Sequence, residues 1–260
     1  MPTKVLDLDR ARILISNDDG INAPGLKLLE SILTVLVGEV WVVAPETEQS
    51  ATSHSLTLRR PLRIRHVSGR RYAIDGTPTD SVLIGINKLM KQSPPDLVIT
   101  GINQGANVGE DVTYSGTVAA AMEATLQGFP SIALSQVCPD GPPIKWATAK
   151  KWLPKVLKML CADLWPSGVL INVNFPDKSV GRVKGVEITS QGRRRIGSDL
   201  VSGIDPRGEP YYWIGAQRRE EHYNLGSDLE AISRGVISVT PLSMDLTHIH
   251  TLKKMRNRLK

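Results

Sequence analysis

The chain reads as an α/β protein built on a mostly parallel sheet. Two observations carry that expectation: short apolar runs bounded by turn residues recur along the chain, and several of the segments between them carry apolar residues at helical spacing. A third is that polar, glycine-bearing loops follow these runs, and ligands in open α/β sheets sit beyond the carboxyl ends of the strands.

The first run, Ile13-Leu14-Ile15-Ser16, reads as a strand buried on both faces and stops at Asn17-Asp18-Asp19-Gly20. A helix is expected from Asn22-Ala23-Pro24, with Leu26, Leu29, Ile32, Leu33 and Leu36 on one face. Val40 to Ala44 is a second strand, and Pro45 opens a polar loop through Glu48, Gln49, Ser50, Ser53 and His54. Arg59 to Val67 and Arg71 to Ile74 alternate as strands do, and Asp75-Gly76 turns the chain. Thr77-Pro78-Thr79-Asp80 carries a capping signal for a helix reaching about Lys91, with Asp80 as the capping carboxylate. Asp96 to Thr100 and Ser131 to Ser135 are further buried strands, separated by a helical run after Tyr114-Ser115-Gly116-Thr117 that stops at Gly128 and Pro130. Residues 143 to 161 form a Lys-rich helical pattern that Pro154 should kink or restart. Val169 to Phe175 is the next strand. Beyond Pro176 the chain turns to strands and loops rich in Gly, Arg and Tyr, with the aromatic run Tyr211-Tyr212-Trp213 read as a packing or subunit surface. Val236 to Val239 has the character of a strand returning to the main sheet.

The carboxylate pair Asp18-Asp19 is the strongest chemical signal. Adjacent carboxylates repel, and a hard divalent cation relieves that repulsion through oxygen ligation. The same four residues also make an ordinary turn, because Asn and Asp bond to their own backbone. Gly101-Ile102-Asn103-Gln104-Gly105-Ala106-Asn107 interleaves amides with glycines that let the backbone approach a ligand. Its spacing fits neither the dinucleotide fingerprint nor the P-loop. Ser115 and Thr117 stand at a helix start, where free N–H groups favour phosphate; taken singly, each hydroxyl reads first as an N-cap.

Composition limits the partners. Hydrophobic residues make up 41% and charged residues 22%, the balance of an ordinary globular protein. No apolar run reaches the length of a membrane span, and Met1 to Arg12 lacks the apolar stretch of a secretion signal, so a cytoplasmic location is expected. Cys138 and Cys161 imply neither a disulfide framework nor a zinc site. His222, His248 and His250 read as surface or structural histidines. The net charge of +6 suggests nucleic acid, but Lys253, Lys254, Arg256, Arg258 and Lys260 supply five of those charges and leave residues 1–252 close to neutral. No nucleic-acid duplex and no membrane is therefore expected as a partner. Arg193-Arg194-Arg195 is either a solvated loop or an attractor for an anionic substrate.

Taken in order, Asn17-Asp18-Asp19-Gly20, Val43-Ala44-Pro45 with Gln49-Ser50-Ala51, Gly101 to Asn107, Tyr114-Ser115-Gly116-Thr117, Asn172-Val173-Asn174-Phe175-Pro176, Gln191-Gly192-Arg193, Gly226-Ser227-Asp228 and Ser238 to Leu242 resemble the SurE (survival protein E) family of nucleotidases from Arg12 to about Thr247. The resemblance implies a Rossmann-like three-layer core with a C-terminal β-hairpin extension used in oligomer contacts. It divides the chain into an N-terminal tail (1–11), an α/β catalytic core (12–178) and a C-terminal region (179–260) holding the hairpin, a strand returning to the core sheet and the basic tail. It implies hydrolysis of nucleoside monophosphates, with 3′-nucleotidase and polyphosphatase action as extensions, by a homodimer or homotetramer. By motif, Asp18, Asp19, Ser50 and Asn103 would ligate one divalent cation per subunit, Mg²⁺ or Mn²⁺. Asn107, Ser115, Gly116 and Thr117 match the phosphate-contacting set. The expected chemistry is attack by metal-activated water, with Asp18 or Asp19 orienting or deprotonating it. An aspartyl-phosphate route is disfavoured because Gly20 stands where an Asp-x-Asp motif needs its second acid.

A receiver module of the response-regulator kind also places two carboxylates after its first strand, and is the non-enzymatic alternative. It requires a phospho-accepting Asp after its third strand, where this chain has Gly101-Ile102-Asn103.

Overall fold

The computed structural model describes residues 5–138, 143–194, 200–214 and 223–259. Its centre is a nine-stranded sheet, and the reason lies in β1 (Arg12–Ser16), whose residues from Ile13 to Ser16 are buried with side chains alternating between two apolar layers. Ile13 and Ile15 pack with Leu26, Leu29 and Leu33 of α1 (Pro24–Leu33) and with Leu153 and Leu157 of α4 (Trp146–Cys161). Leu14 faces the other way, toward Val82 of α2 (Pro78–Ile84) and Ala120 and Ala124 of α3 (Gly116–Leu126). Two helical layers around one sheet follow from that alternation.

The remaining strands are β2 (Glu39–Pro45), β3 (Ile64–Ser68), β4 (Arg71–Ile74), β5 (Leu97–Gln104), β6 (Ser131–Gln136), β7 (Val169–Phe175), β8 (Val186–Ile188) and β11 (Ile237–Ser243), in the order β3-β4-β2-β1-β5-β6-β7-β11-β8. The six strands from β4 to β7 in that order pair in parallel, while β3 and β11 pair antiparallel to β4 and β7. From β1 the chain winds first toward β2 and then, through β5, in the opposite direction. The crevice between the carboxyl ends of β1 and β5 is therefore the topological switch point. Outside the sheet, β9 (Leu200–Ile204) and β10 (Pro210–Ile214) form a two-stranded antiparallel ribbon. Val236 joins a turn after α5 (Asp228–Arg234), and β11 does return to the main sheet beside β7.

Three sequence expectations shift. The strand expected from Arg59 begins only at Ile64: Pro61 has no N–H to donate, and the Arg63 amide donates to Asp75 Oδ1 at 2.5 Å instead of to a strand. β3 is exposed along its whole length, as an edge strand can be. The helix expected to reach Lys91 is α-helical only to Ile84 and continues as a π-helical turn over Gly85–Leu89, closed by Met90 N–H to Gly85 O at 2.8 Å. α4 runs from Trp146 to Cys161 as one helix, so Pro154 does not divide it. The carbonyl deprived of its donor belongs to Lys150, which is exposed to solvent. Thr77 and Asp80 form the expected capping box, and Asp80 Oδ1 also accepts from the Thr57 amide at 3.0 Å. Arg195 and His222 lie outside the described residues.

Gly25, in the first turn of α1, sits so close to the end of β5 that a Cβ would lie 1.9 Å from the Ile102 carbonyl oxygen. Substituting Gly25→Ala removes a flexible residue from a helix, yet the clash with backbone outweighs that gain. The variant should lose at least about 2 kcal/mol of stability, read as a lower denaturant midpoint; an unchanged midpoint would show that the contact relaxes freely.

Candidate metal and phosphate site

β1 delivers its acids to the crevice through a tight turn. Asn17 is fully buried and donates from Nδ2 to Gly20 O at 3.0 Å, and Gly20 takes φ +96° against the backbone of Thr47. Asp18 is buried at 5% exposure, its carbonyl accepting the Gln49 N–H at 2.7 Å, so the β2 loop is tied directly to the acid turn.

Desolvation pushes the Asp18 carboxyl above its ordinary range, opposed by a hydrogen bond from the Thr117 hydroxyl and by backbone donors that include Thr117. Asp19 rises to about 6, first through burial and then through the Asp18 charge beside it. Glu48 adds negative potential at both. Among the described residues no Lys, Arg or His forms an ion pair with either acid. Nor do the described residues contain a cluster of three or more His, Cys, Asp or Glu side chains able to hold a metal ion. A cation here would take two carboxylates plus neutral oxygens, the hard donor set that suits Mg²⁺ or Mn²⁺.

Those neutral oxygens are present. Asp18, Asp19, Ser50, Asn103, Asn107 and Ser115 all line one cavity of about 860 Å³. Asn103, at the end of β5, donates from Nδ2 to Gly105 O at 3.1 Å, which leaves its carbonyl oxygen without a donor among the described residues. Ser50 donates its hydroxyl to Glu48 Oε1 at 2.8 Å, so here its oxygen faces Glu48 rather than the acid pair.

The α3 start packs onto Asp18 because residue 116 has no side chain: a Cβ there would meet Asp18 Cβ at 2.8 Å. Ser115 is the N-cap and accepts from Val118 N–H at 3.1 Å. Thr117 is fully buried and its hydroxyl donates to Asp18 Oδ1. Both hydroxyls thus have structural duties, and the positive helix terminus faces a carboxylate.

Asn107 is held from two strands, β6 and β7. Its N–H donates to Asn174 Oδ1 at 2.9 Å, and its carbonyl accepts from Asn172 Nδ2 at 2.8 Å and Asn174 Nδ2 at 3.0 Å. Its own Nδ2 donates to Ser135 Oγ at 2.8 Å. A hydroxyl accepts or donates with equal ease, so the Asn107 amide can present either its oxygen or its NH₂ to the cavity. The asparagines of β7 are signalled only faintly in sequence, as two amides at i and i+2 within an apolar strand.

Three further groups stood in segments the sequence singles out, but their partners had no local signal. Asp228 accepts from the N–H groups of Gly109 (2.9 Å), Gly192 and Leu229 (2.8 Å each) and so ties the loop after β5 to the Gln191-Gly192 segment. Arg194 pairs with Asp111 at 3.4 Å, so this arginine is partnered within the protein. His54 Nε2 meets Glu123 Oε2 of α3 at 3.1 Å, while Gln127 donates to Glu123 Oε1 at 2.9 Å. His248 caps α6 (Ile249–Arg258) by accepting from Thr251 N–H, a structural role as expected.

Comparison with known proteins follows this geometry closely. The family model of survival protein SurE matches residues 13–198. The chain is 61% identical to a 5′-nucleotidase SurE of Paramagnetospirillum magneticum, over 96% of each chain. It is 51% identical to one of Rhodospirillum rubrum, over 98% of each. The crystal structure of a SurE protein from Aquifex aeolicus matches with a TM-score of 0.85 at 38% identity, covering 96% of this chain and 100% of that one.

The His54 contact holds the Glu123 carboxyl below its ordinary value. A depressed carboxylate stabilises the fold above its unfolded value near 4.5 and loses that contribution as pH falls through the folded value. Acidification below pH 4.5 should therefore destabilise the wild type more steeply than Glu123→Gln, measured as thermal midpoints; parallel curves would remove this pair from the acid response.

Proposed function

The chain belongs to the SurE family, and from that premise we propose that it is a metal-dependent 5′-nucleotidase hydrolysing nucleoside monophosphates at the Asp18–Asp19 crevice. The observation that carries this reading is the desolvated carboxylate pair, without a paired cation among the described residues, at the switch point beside a helix N-terminus.

Asp18 and Asp19, with the neutral oxygens of Asn103 and of a rotated Ser50, would hold one Mg²⁺ or Mn²⁺ ion. When bound, the ion supplies charge stabilisation for the phosphoryl oxygens and lowers the pKa of a water nucleophile. The protein's own groups do the rest. Thr117 fixes the Asp18 carboxylate by its hydroxyl bond to Oδ1, leaving Oδ2 without a side-chain donor among the described residues. Asp19, the less buried of the two acids, is the group placed to accept the proton of the attacking water. Asn107 donates to a phosphoryl oxygen once its amide turns NH₂ outward, with Ser135 then donating to Oδ1; the bonds from Asn172 and Asn174 keep the backbone still meanwhile. The fixed N–H groups at the start of α3 contribute positive potential to the same cavity.

A signalling receiver fits less well. The strand beside β1 across the switch point is β5, and it ends in Gly101-Ile102-Asn103 without an acid to phosphorylate. The exposed ribbon residues Val201, Ile204, Tyr212 and Trp213 support self-association into a dimer or tetramer. No helix among the described residues is long and apolar enough to cross a membrane.

Phosphate release from a panel of nucleoside 5′-monophosphates should require Mg²⁺ or Mn²⁺ and stop with excess EDTA. Asp18→Asn should abolish turnover and the metal-induced rise in melting temperature without lowering the metal-free melting temperature, since it removes a desolvated charge; retained turnover would refute the assignment. Thr117→Val should raise the metal concentration needed for half-maximal activity by about 10- to 100-fold, as loss of a ligand-orienting bond does elsewhere. An unchanged requirement would reduce that hydroxyl to a packing group.

A further inference from the structure

We propose that Trp146 is the platform on which the nucleobase stacks, so that this enzyme selects phosphomonoesters bearing a flat aromatic body over bare sugar phosphates and polyphosphate chains. The inference rests on the phosphomonoesterase reading and deepens it.

The cavity is larger than a phosphoryl group and an ion require, and its lining is divided. Beside the acids and amides it has an apolar lining from Ala23, Pro24, Trp146, Leu200 and Ile214. Leu200 and Ile214 are directly opposed cross-strand partners on the β9–β10 ribbon, 63% and 75% exposed, so their apolar surface is available to be covered. Trp146 differs from them in being rigidly seated. It is the first residue of α4, its N–H donates to Ile144 O at 2.9 Å, and its ring is half-buried against the main apolar core. Its Cη2 edge lies over the first turn of α1, where a Cβ on Gly25 would come within 3.1 Å. The indole N–H has no hydrogen-bond partner among the described residues and remains available to an acceptor on a ligand.

Charge disfavours the more anionic extended ligands of this size. Asp18, Asp19 and Glu48 line the cavity without a Lys or Arg beside them on its described lining, while Asp111 on the same lining is paired to Arg194. A polyphosphate chain would carry repeated negative charge along an acidic wall, whereas a neutral base would bury apolar surface against an indole face. Tyr114 is the other aromatic group on the described lining, but it adjoins the Ser115 cap and is 56% exposed.

The test compares kcat/KM for AMP, ribose 5-phosphate and tripolyphosphate in the wild type, Trp146→Ala, Trp146→Phe and Tyr114→Ala, alongside calorimetric binding of adenosine in the presence of EDTA. Stacking predicts that the wild type prefers AMP to ribose 5-phosphate by at least about tenfold, that Trp146→Ala collapses this ratio by about 10- to 100-fold, and that Trp146→Phe keeps most of it. Equal losses on AMP and ribose 5-phosphate, a wild type indifferent to the base, or a ratio lost in Tyr114→Ala instead would each overturn the assignment. Adenosine binding that is lost in Trp146→Ala, in a wild type that hydrolyses no phosphomonoester, would keep the base subsite and refute the nucleotidase reading. Neither binding nor hydrolysis would refute both.

Discussion

Two carboxylates held side by side out of water are the condition around which the rest of this structure is arranged. Burial and mutual repulsion both favour protonation, so an acid turn of this kind persists in charged form only with compensation. The protein supplies part of it: the Thr117 hydroxyl on Asp18, the positive end of α3, and backbone donors. The remainder is left to a divalent ion. Glycine 116 is a consequence of the same condition, since only a residue without Cβ lets the helix terminus reach the carboxylate.

The topology explains why the compensation converges on one place. β1 carries the acids, β2 carries the serine loop, β5 carries the asparagines, and these three strands are neighbours in the sheet on either side of the reversal in winding. Side chains from far-separated stretches therefore meet without long excursions of the chain. Behind them Asn172 and Asn174 on β7 and Ser135 on β6 brace the Asn107 loop through four hydrogen bonds, so its position is set by the sheet and not by the loop's own conformation.

How much of this was legible in the sequence depended on how local each interaction is. The buried strands, the Thr77–Asp80 capping box and Ser115 at a helix start were readable because their signals span a few residues. So was the acid turn. The supporting interactions were not: Asp228 reaches Gly109 across 119 positions, His54 reaches Glu123 across 69, and Asn172 reaches Asn107 across 65. No periodicity or spacing rule registers contacts that only folding creates. Thr117 shows the limit most clearly. Its position at a helix start signals a cap or a phosphate contact, and the structure gives its hydroxyl to a carboxylate 99 residues earlier.

The β9–β10 ribbon contributes Leu200 and Ile214 to the cavity lining, yet among the described residues its strands pair with each other and with no strand of the main sheet. A two-stranded ribbon is among the least stable units a fold can carry on its own. Substrate contact at Leu200 and Ile214 and ordering of the ribbon are then the same free-energy term seen from two sides. Whatever fastens the ribbon, whether a neighbouring subunit or a tighter turn at Asp205, lowers the entropy lost on substrate binding, and by reciprocity a bound substrate strengthens that fastening.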